Sequence, residues 1–196
     1  MLDVPPPESP GEVLKNWMDF YIICDDAKAH LFAMSSGKLW RSETKLADYP
    51  NRWSKPVVAL SGDFIYASHT YRRDRQDGAE QFWTNITGVS VDEKTKRRRQ
   101  FQQSYVADRI EGPWKAEAAT WEQPFAAPTN IKFTDERWFG DLVHGEPIRT
   151  GNDERMILDP EITHFIFHGH LRDTKTGGMA DKSECVGLLE RDDSAR

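Results

Sequence analysis

Residues 20–42 read FYIICDDAKAHLFAMSSGKLWRS. Phe20 to Cys24 is a short apolar run halted by Asp25-Asp26, and Ala29 to Met34 is a second run halted by Ser35-Ser36-Gly37. Lys38 to Ser42 is a third. Runs of about five residues, rich in aromatic and β-branched side chains and separated by Asp, Ser and Gly, describe a β-meander. The same reading extends outward to Pro56–Leu60, Phe64–Tyr71, Gln81–Ile86, Phe101–Ala107, Arg155–Leu158, His164–His168 and Val186–Glu190. No stretch of ten or more residues carries a 3.6-residue apolar period. The expected class is all-β, with antiparallel strands.

Composition narrows the function. The 196 residues include seven Trp, ten Phe and five Tyr, too many aromatics for a disordered chain. No apolar run approaches the roughly 20 residues of a membrane-spanning helix. The net charge of −6 gives the whole surface no attraction for nucleic acid. One basic cluster, Lys94, Lys96, Arg97, Arg98 and Arg99, lies behind Asp92 and Glu93 and reads as a solvated loop between strands. Two cysteines, Cys24 and Cys185, make no disulfide framework. Residues 1–16 are Pro-rich and expected to be extended, with neither the basic nor the apolar region of a secretory signal. Residues 17–190 form the folded body and 191–196 a charged tail. Asn85-Ile86-Thr87 is a glycosylation sequon, meaningful only in a secreted chain.

Two kinds of chemistry remain open. In the stretch from His164 to His170, alternation puts His164, Ile166, His168 and His170 on one strand face and Phe165 and Phe167 on the other. Histidines at i and i+2 can converge on an ion, but Gly169 is expected to end the strand and carry His170 away. Glycoside hydrolysis needs two carboxyl groups flanking the scissile bond, and spacing does not single out two of the 32 acids.

Several stretches, taken in order, resemble the α-L-arabinofuranosidases of glycoside hydrolase family 62. Asp19 to Asp26 followed by His30-Leu31-Phe32 is similar to the family's "FWVICDD…LFF". Gly37 to Ser42 with Leu46 to Pro50 is similar to "GKLYRS…LANFP", and Gln123 to Ala126 to "NPFA". Asp141 to Arg149 (DLVHGEPIR) resembles "ISHGELIR" and continues through Met156 to Pro160. The resemblance covers about residues 17–170. It implies a five-bladed β-propeller, secreted, that removes arabinofuranosyl side groups from xylan with inversion. The length accounts for about the last three blades, so 17–190 would be a partial propeller able to self-associate through open blade edges.

The resemblance also implies which residues form the site. Both family aspartates are expected ahead of the matched region, and Asp25 and Asp26 read as a turn. The family's acid-bearing "LFEA" strand falls on Phe64 to Ala67, so Tyr66 stands in the place of the catalytic Glu. A phenol, with a reference pKa near 10, replaces a carboxylic acid poorly. Substrate contacts are expected at Tyr66, Gln100 and Asn152. His144 matches a channel histidine near a calcium ion, though no cofactor is required. Glu161 replaces a family cysteine and removes that disulfide. The implied ligand is arabinoxylan or an arabino-oligosaccharide, acted on by an impaired enzyme or held by a non-catalytic binding protein of the same fold.

Overall fold

The computed structural model describes Val4 and residues 17–62, 65–74, 81–91, 99–149, 151–159, 162–171 and 184–192. Turn chemistry divides the first part into four strands. β1 (Met18–Cys24) ends at Asp25, whose Oδ1 accepts the backbone N–H groups of Ala27 and Lys28, each at 2.7 Å. The chain returns as β2 (Lys28–Ser35), reverses at Ser36 and Gly37 with positive φ, and continues as β3 (Lys38–Lys45). A 3-10 turn at Leu46–Asp48 leads to β4 (Val57–Ser61). These four strands pair antiparallel in chain order.

A second sheet is built on the hairpins of β5 (Ile65–Asp74), β6 (Gln81–Val91), β7 (Arg99–Ala107) and β8 (Lys115–Ala118). Then follow β9 (His144–Pro147), β10 (Ile157–Leu158), β11 (His164–His170) and β12 (Glu184–Glu190). β10 joins the edge of the second sheet beside β5, whereas β9, β11 and β12 form a third sheet in the order β12-β11-β9. None of the three sheets closes on itself among the described residues.

The all-β expectation holds, with local corrections. β10 runs parallel to β5, departing from a wholly antiparallel arrangement. It is also shorter than expected, because Asp153 Oδ1 caps Arg155 N at 3.0 Å and keeps Asp153–Arg155 in a turn. β8 and β9 were not legible in the sequence: KAEA is polar and built of helix formers, and HGEP contains Gly and Pro. Gly169 does not end β11. The strand runs on to His170 because Gly169 and His170 stay paired with Cys185 and Glu184 of β12, and the Asp141 carbonyl lies where a Cβ at 169 would go, so this glycine serves a close approach. The basic stretch 92–98 and nearly all of 1–16 lie outside the described residues.

Packing couples each sheet to the next. Ile23, Phe32 and Leu39 of the first sheet meet Ile65, Val89 and Phe101 of the second. On its other side the second sheet sends Tyr71 and Ile86 into a cluster with Phe139, Leu142, Phe165 and Phe167. The outer face of the first sheet is covered in part by Val4, Trp17 and Trp53 around Cys24 and Leu31. The outer face of the third sheet leaves Ile166, Val186 and Leu188 exposed. Asn85 of the sequon is fully buried, and its Nδ2 donates to Ser68 Oγ, Thr70 Oγ1 and the His69 carbonyl. In the folded chain this amide is committed to the core and is no glycan acceptor.

Gly145 tests the third sheet. A Cβ there would overlap the Phe165 ring and lie 2.9 Å from the Ile166 carbonyl, whereas one at Gly151 meets nothing within 4 Å. Gly145→Ala is expected to lower unfolding free energy by about 1–3 kcal/mol in a urea titration, the usual cost of overpacking. Gly151→Ala should leave the midpoint unchanged.

Candidate functional site

Tyr66 on β5 lies directly across from Gly88 on β6, which in turn lies across from Gln102 on β7. Because Gly88 has no side chain, the Tyr66 ring can lie over the β6 backbone. A Cβ at 88 would come within 2.8 Å of Tyr66 Cε2 and 2.7 Å of the Val143 carbonyl. Across this gap Gln100 Nε2 donates to Tyr66 Oη at 3.0 Å. Gln102 Nε2 donates to the same Val143 carbonyl at 3.1 Å, tying the approach to β9 down onto the second sheet. The Oε1 atoms of Gln100 and Gln102 are buried with no partner among the described residues.

Two irregular strands meet beside Tyr66. The β1–β2 register shifts between Met18 and Tyr21, and the β5–β6 register shifts between Tyr66 and His69. Each bulge holds a non-glycine residue at positive φ, Asp19 at 47° and Ala67 at 48°. Asp19 Oδ2 accepts the Ala67 backbone N–H at 3.1 Å and so clasps one bulge to the other. Asp tolerates this conformation and Ala does not, so the Ala67 position stores local strain. Bulges re-aim the side chains that follow them. Here they set Tyr66 and His69 next to a carboxylate.

His69 begins a run of rings. Its ring centroid is 5.1 Å from Tyr21 and 5.3 Å from His144, and His144 is 6.0 Å from His168, its cross-strand partner on β11. Tyr71 Oη lies 3.4 Å from His69 Nδ1. Tyr21 stacks on Phe32, and its hydroxyl is 2.7 Å from Thr70 Oγ1, itself held by Asn85. Burial pushes His69 below the usual imidazole range, helped by the positive charge of Arg149 and opposed by Asp19. Burial also lowers His144, aided by His69 and His168 and opposed by Asp19 and Glu146. Both imidazoles are therefore neutral at pH 7. Burial raises the phenols of Tyr21 and Tyr71, which stay protonated. Arg149, half-buried, keeps Nη1 without a partner among the described residues.

The structure thus joins Tyr66 to Gln100 and places His144 in the neighbouring ring cluster. Asn152 is exposed in the loop between β9 and β10 and shares no hydrogen bond with these residues among those described. Asp19, His69 and Arg149 belong to the site although spacing did not single them out. Asp19 and Arg149 lie inside stretches quoted for their resemblance and His69 lies just past Phe64–Ala67, and the two bulges bring Asp19 and His69 together. Among the described residues no three His, Cys, Asp or Glu side chains converge to hold a metal. The ring neighbours of His144 are imidazoles, whereas calcium takes six to eight oxygen ligands. That donor set fits calcium poorly. The arrangement offers neutral donors and acceptors for a polyhydroxylated ligand, with Asp19 as the carboxylate bonded next to Tyr66.

The family model for glycosyl hydrolase family 62 matches residues 12–183. Alpha-L-arabinofuranosidase C of Cellvibrio japonicus (strain Ueda107) is 31% identical over 159 residues, 78% of this chain and 24% of that protein. The catalytic domain of the Coprinopsis cinerea family 62 α-L-arabinofuranosidase superposes with a TM-score of 0.77 at 29% identity, covering 89% of this chain and 54% of that one. The Podospora anserina α-L-arabinofuranosidase, solved with cellotriose, gives 0.74 at 31% identity, covering 89% and 53%. This chain therefore spans about a quarter of the curated relative and about half of the solved ones.

The histidines set a pH dependence. Above about pH 6.5 they are neutral in both folded and unfolded chains. Below it the unfolded chain binds protons that buried His69, His144 and His30 resist, so stability falls as pH drops toward their lowered folded values. The melting temperature is expected to fall between pH 7.5 and 5.5. The double variant His69→Gln, His144→Gln should show a shallower decline.

Proposed function

The chain belongs to glycosyl hydrolase family 62, and on that premise we propose that it binds arabinose side groups of xylan at the Tyr66–Gln100 site without hydrolysing them at an enzyme-like rate. The observation that carries this reading is the hydrogen bond from Gln100 to Tyr66, at the position where the family resemblance puts the acid. Inverting hydrolysis needs one carboxylate to activate water and one protonated carboxyl to reach the leaving oxygen. Tyr66 offers a phenol in place of the second. Its hydroxyl is engaged by an amide, which suits a ligand contact better than proton delivery. Loss of a positioned acid typically lowers the rate by about 10²–10⁴-fold.

Asp19 is the carboxylate best placed to take part. Its bond to the Ala67 N–H leaves further acceptor capacity on the carboxylate. Gln100, His69, His144 and Arg149 supply hydrogen bonds to sugar hydroxyls. The binding-protein reading gains from the same contact between Tyr66 and Gln100, since that pair needs no titration to hold a hydroxyl. We read the three sheets as three blades of a five-blade plan, acting outside the cell as the family does. The exposed Ile166, Val186 and Leu188 then form an open blade face through which copies associate.

Arabinose release from arabinoxylan tests the catalytic part. The unmodified chain is expected to give no turnover above background while still being retained by the polysaccharide. Turnover by the unmodified chain that is abolished in Asp19→Asn would contradict the reading, and so would absence of retention. Sedimentation velocity tests the open face: Val186→Lys with Leu188→Lys should shift associated chain toward monomer.

A further inference from the structure

A second aromatic feature lies away from Tyr66. Alternation along β11 puts His168 on the face it shares with Ile166, and Phe167 on the opposite face, where Trp138 packs on it. The Trp138 and Phe167 rings are nearly parallel, 21° apart in tilt with centroids 6.0 Å apart, and Phe139 meets the indole edge-on at 4.9 Å. Gly187 on β12 lets the indole approach, since a Cβ there would lie 2.9 Å from Trp138 Cη2. Arg137 fixes the loop by donating from Nε to the Phe139 carbonyl and from Nη2 to the Gly140 carbonyl. The indole is held on several sides and is still 39% exposed.

An indole pinned in this way has lost its conformational freedom before any ligand arrives, so a ring that stacks on it meets no ordering cost from the protein. Thr134, Asp135 and Glu136, which precede it in the same loop, are exposed and carry groups that can hydrogen-bond hydroxyls. A flat, exposed apolar ring in a loop that also carries such groups matches a pyranose, whose C–H face is apolar and whose edge is hydroxylated. Trp138 also lies on the opposite side of the third sheet from Ile166, Val186 and Leu188, so association of copies through that open face does not require its burial.

We propose that Trp138 is a second carbohydrate contact, where a pyranose of a xylan main chain stacks on the exposed indole while an arabinose side group occupies the Tyr66–Gln100 site elsewhere on the molecule. This rests on the reading that the chain binds arabinose-substituted xylan. Affinity electrophoresis in gels containing soluble wheat arabinoxylan separates the two statements. The unmodified chain is expected to be retarded, Trp138→Ala to bind about 2- to 10-fold more weakly, the worth of one aromatic contact, and Trp138→Phe to recover much of the difference. Circular dichroism melts of both variants establish that they are folded, and Trp138→Phe keeps the test open if Trp138→Ala is not. Equal retardation of the unmodified chain and the folded variants would overturn the Trp138 contact and leave the Tyr66–Gln100 reading standing. No retardation of the unmodified chain would overturn both.

Discussion

The missing side chain at Gly88 is the constraint on which the site depends. It sits in the middle strand of the middle sheet, where a Cβ would strike both the Tyr66 ring and the Val143 carbonyl. One bare stretch of backbone thus serves two purposes. It lets a β5 side chain reach across β6 to Gln100 on β7, and it lets the approach to β9 settle against the second sheet. His144 follows Val143 directly and so comes into ring contact with His69. Substituting Gly88 would disturb the hydroxyl position, the packing of the third sheet and the histidine cluster together.

The polar interior follows from the same geometry. Ser68, Thr70, Asn85 and Thr87 are buried on the second sheet, and the bonds of Asn85 to Ser68 and Thr70 carry its amide without water. Buried polar groups left unpartnered cost about 1–3 kcal/mol each, so such a band persists only when its members answer one another. Here the chain of bonds ends at Tyr21, which packs against His69. The core and the site are therefore one network, and a core amide helps to orient a site ring.

Much of the architecture was legible because the first sheet obeys local rules. Apolar runs of strand length alternate with Asp, Ser and Gly turns, and Asp25 caps its own turn. The third sheet was less legible, since His144–Pro147 gains its strand identity from pairing with β11 across a long sequence separation. Gly169 misled in the same way, because its reason is the Asp141 carbonyl and no local pattern reveals that contact. In the site, Tyr66, Gln100 and His144 could be named from motif order. Asp19 could not, because its placement requires two bulges that meet in space while lying 48 residues apart. Resemblance ranks residues by their place in a motif, whereas strain and register decide which of them touch.

The central claim is that an arabinofuranosyl group sits against Tyr66 and Gln100. The most direct measurement is a crystal structure of the chain soaked with an arabino-xylo-oligosaccharide. The account predicts the furanose ring within hydrogen-bond distance of Tyr66 Oη or the Gln100 amide, with the xylose units leading away from His144. A sugar bound elsewhere, with the Tyr66–Gln100 bond and the histidine rings untouched, would contradict it.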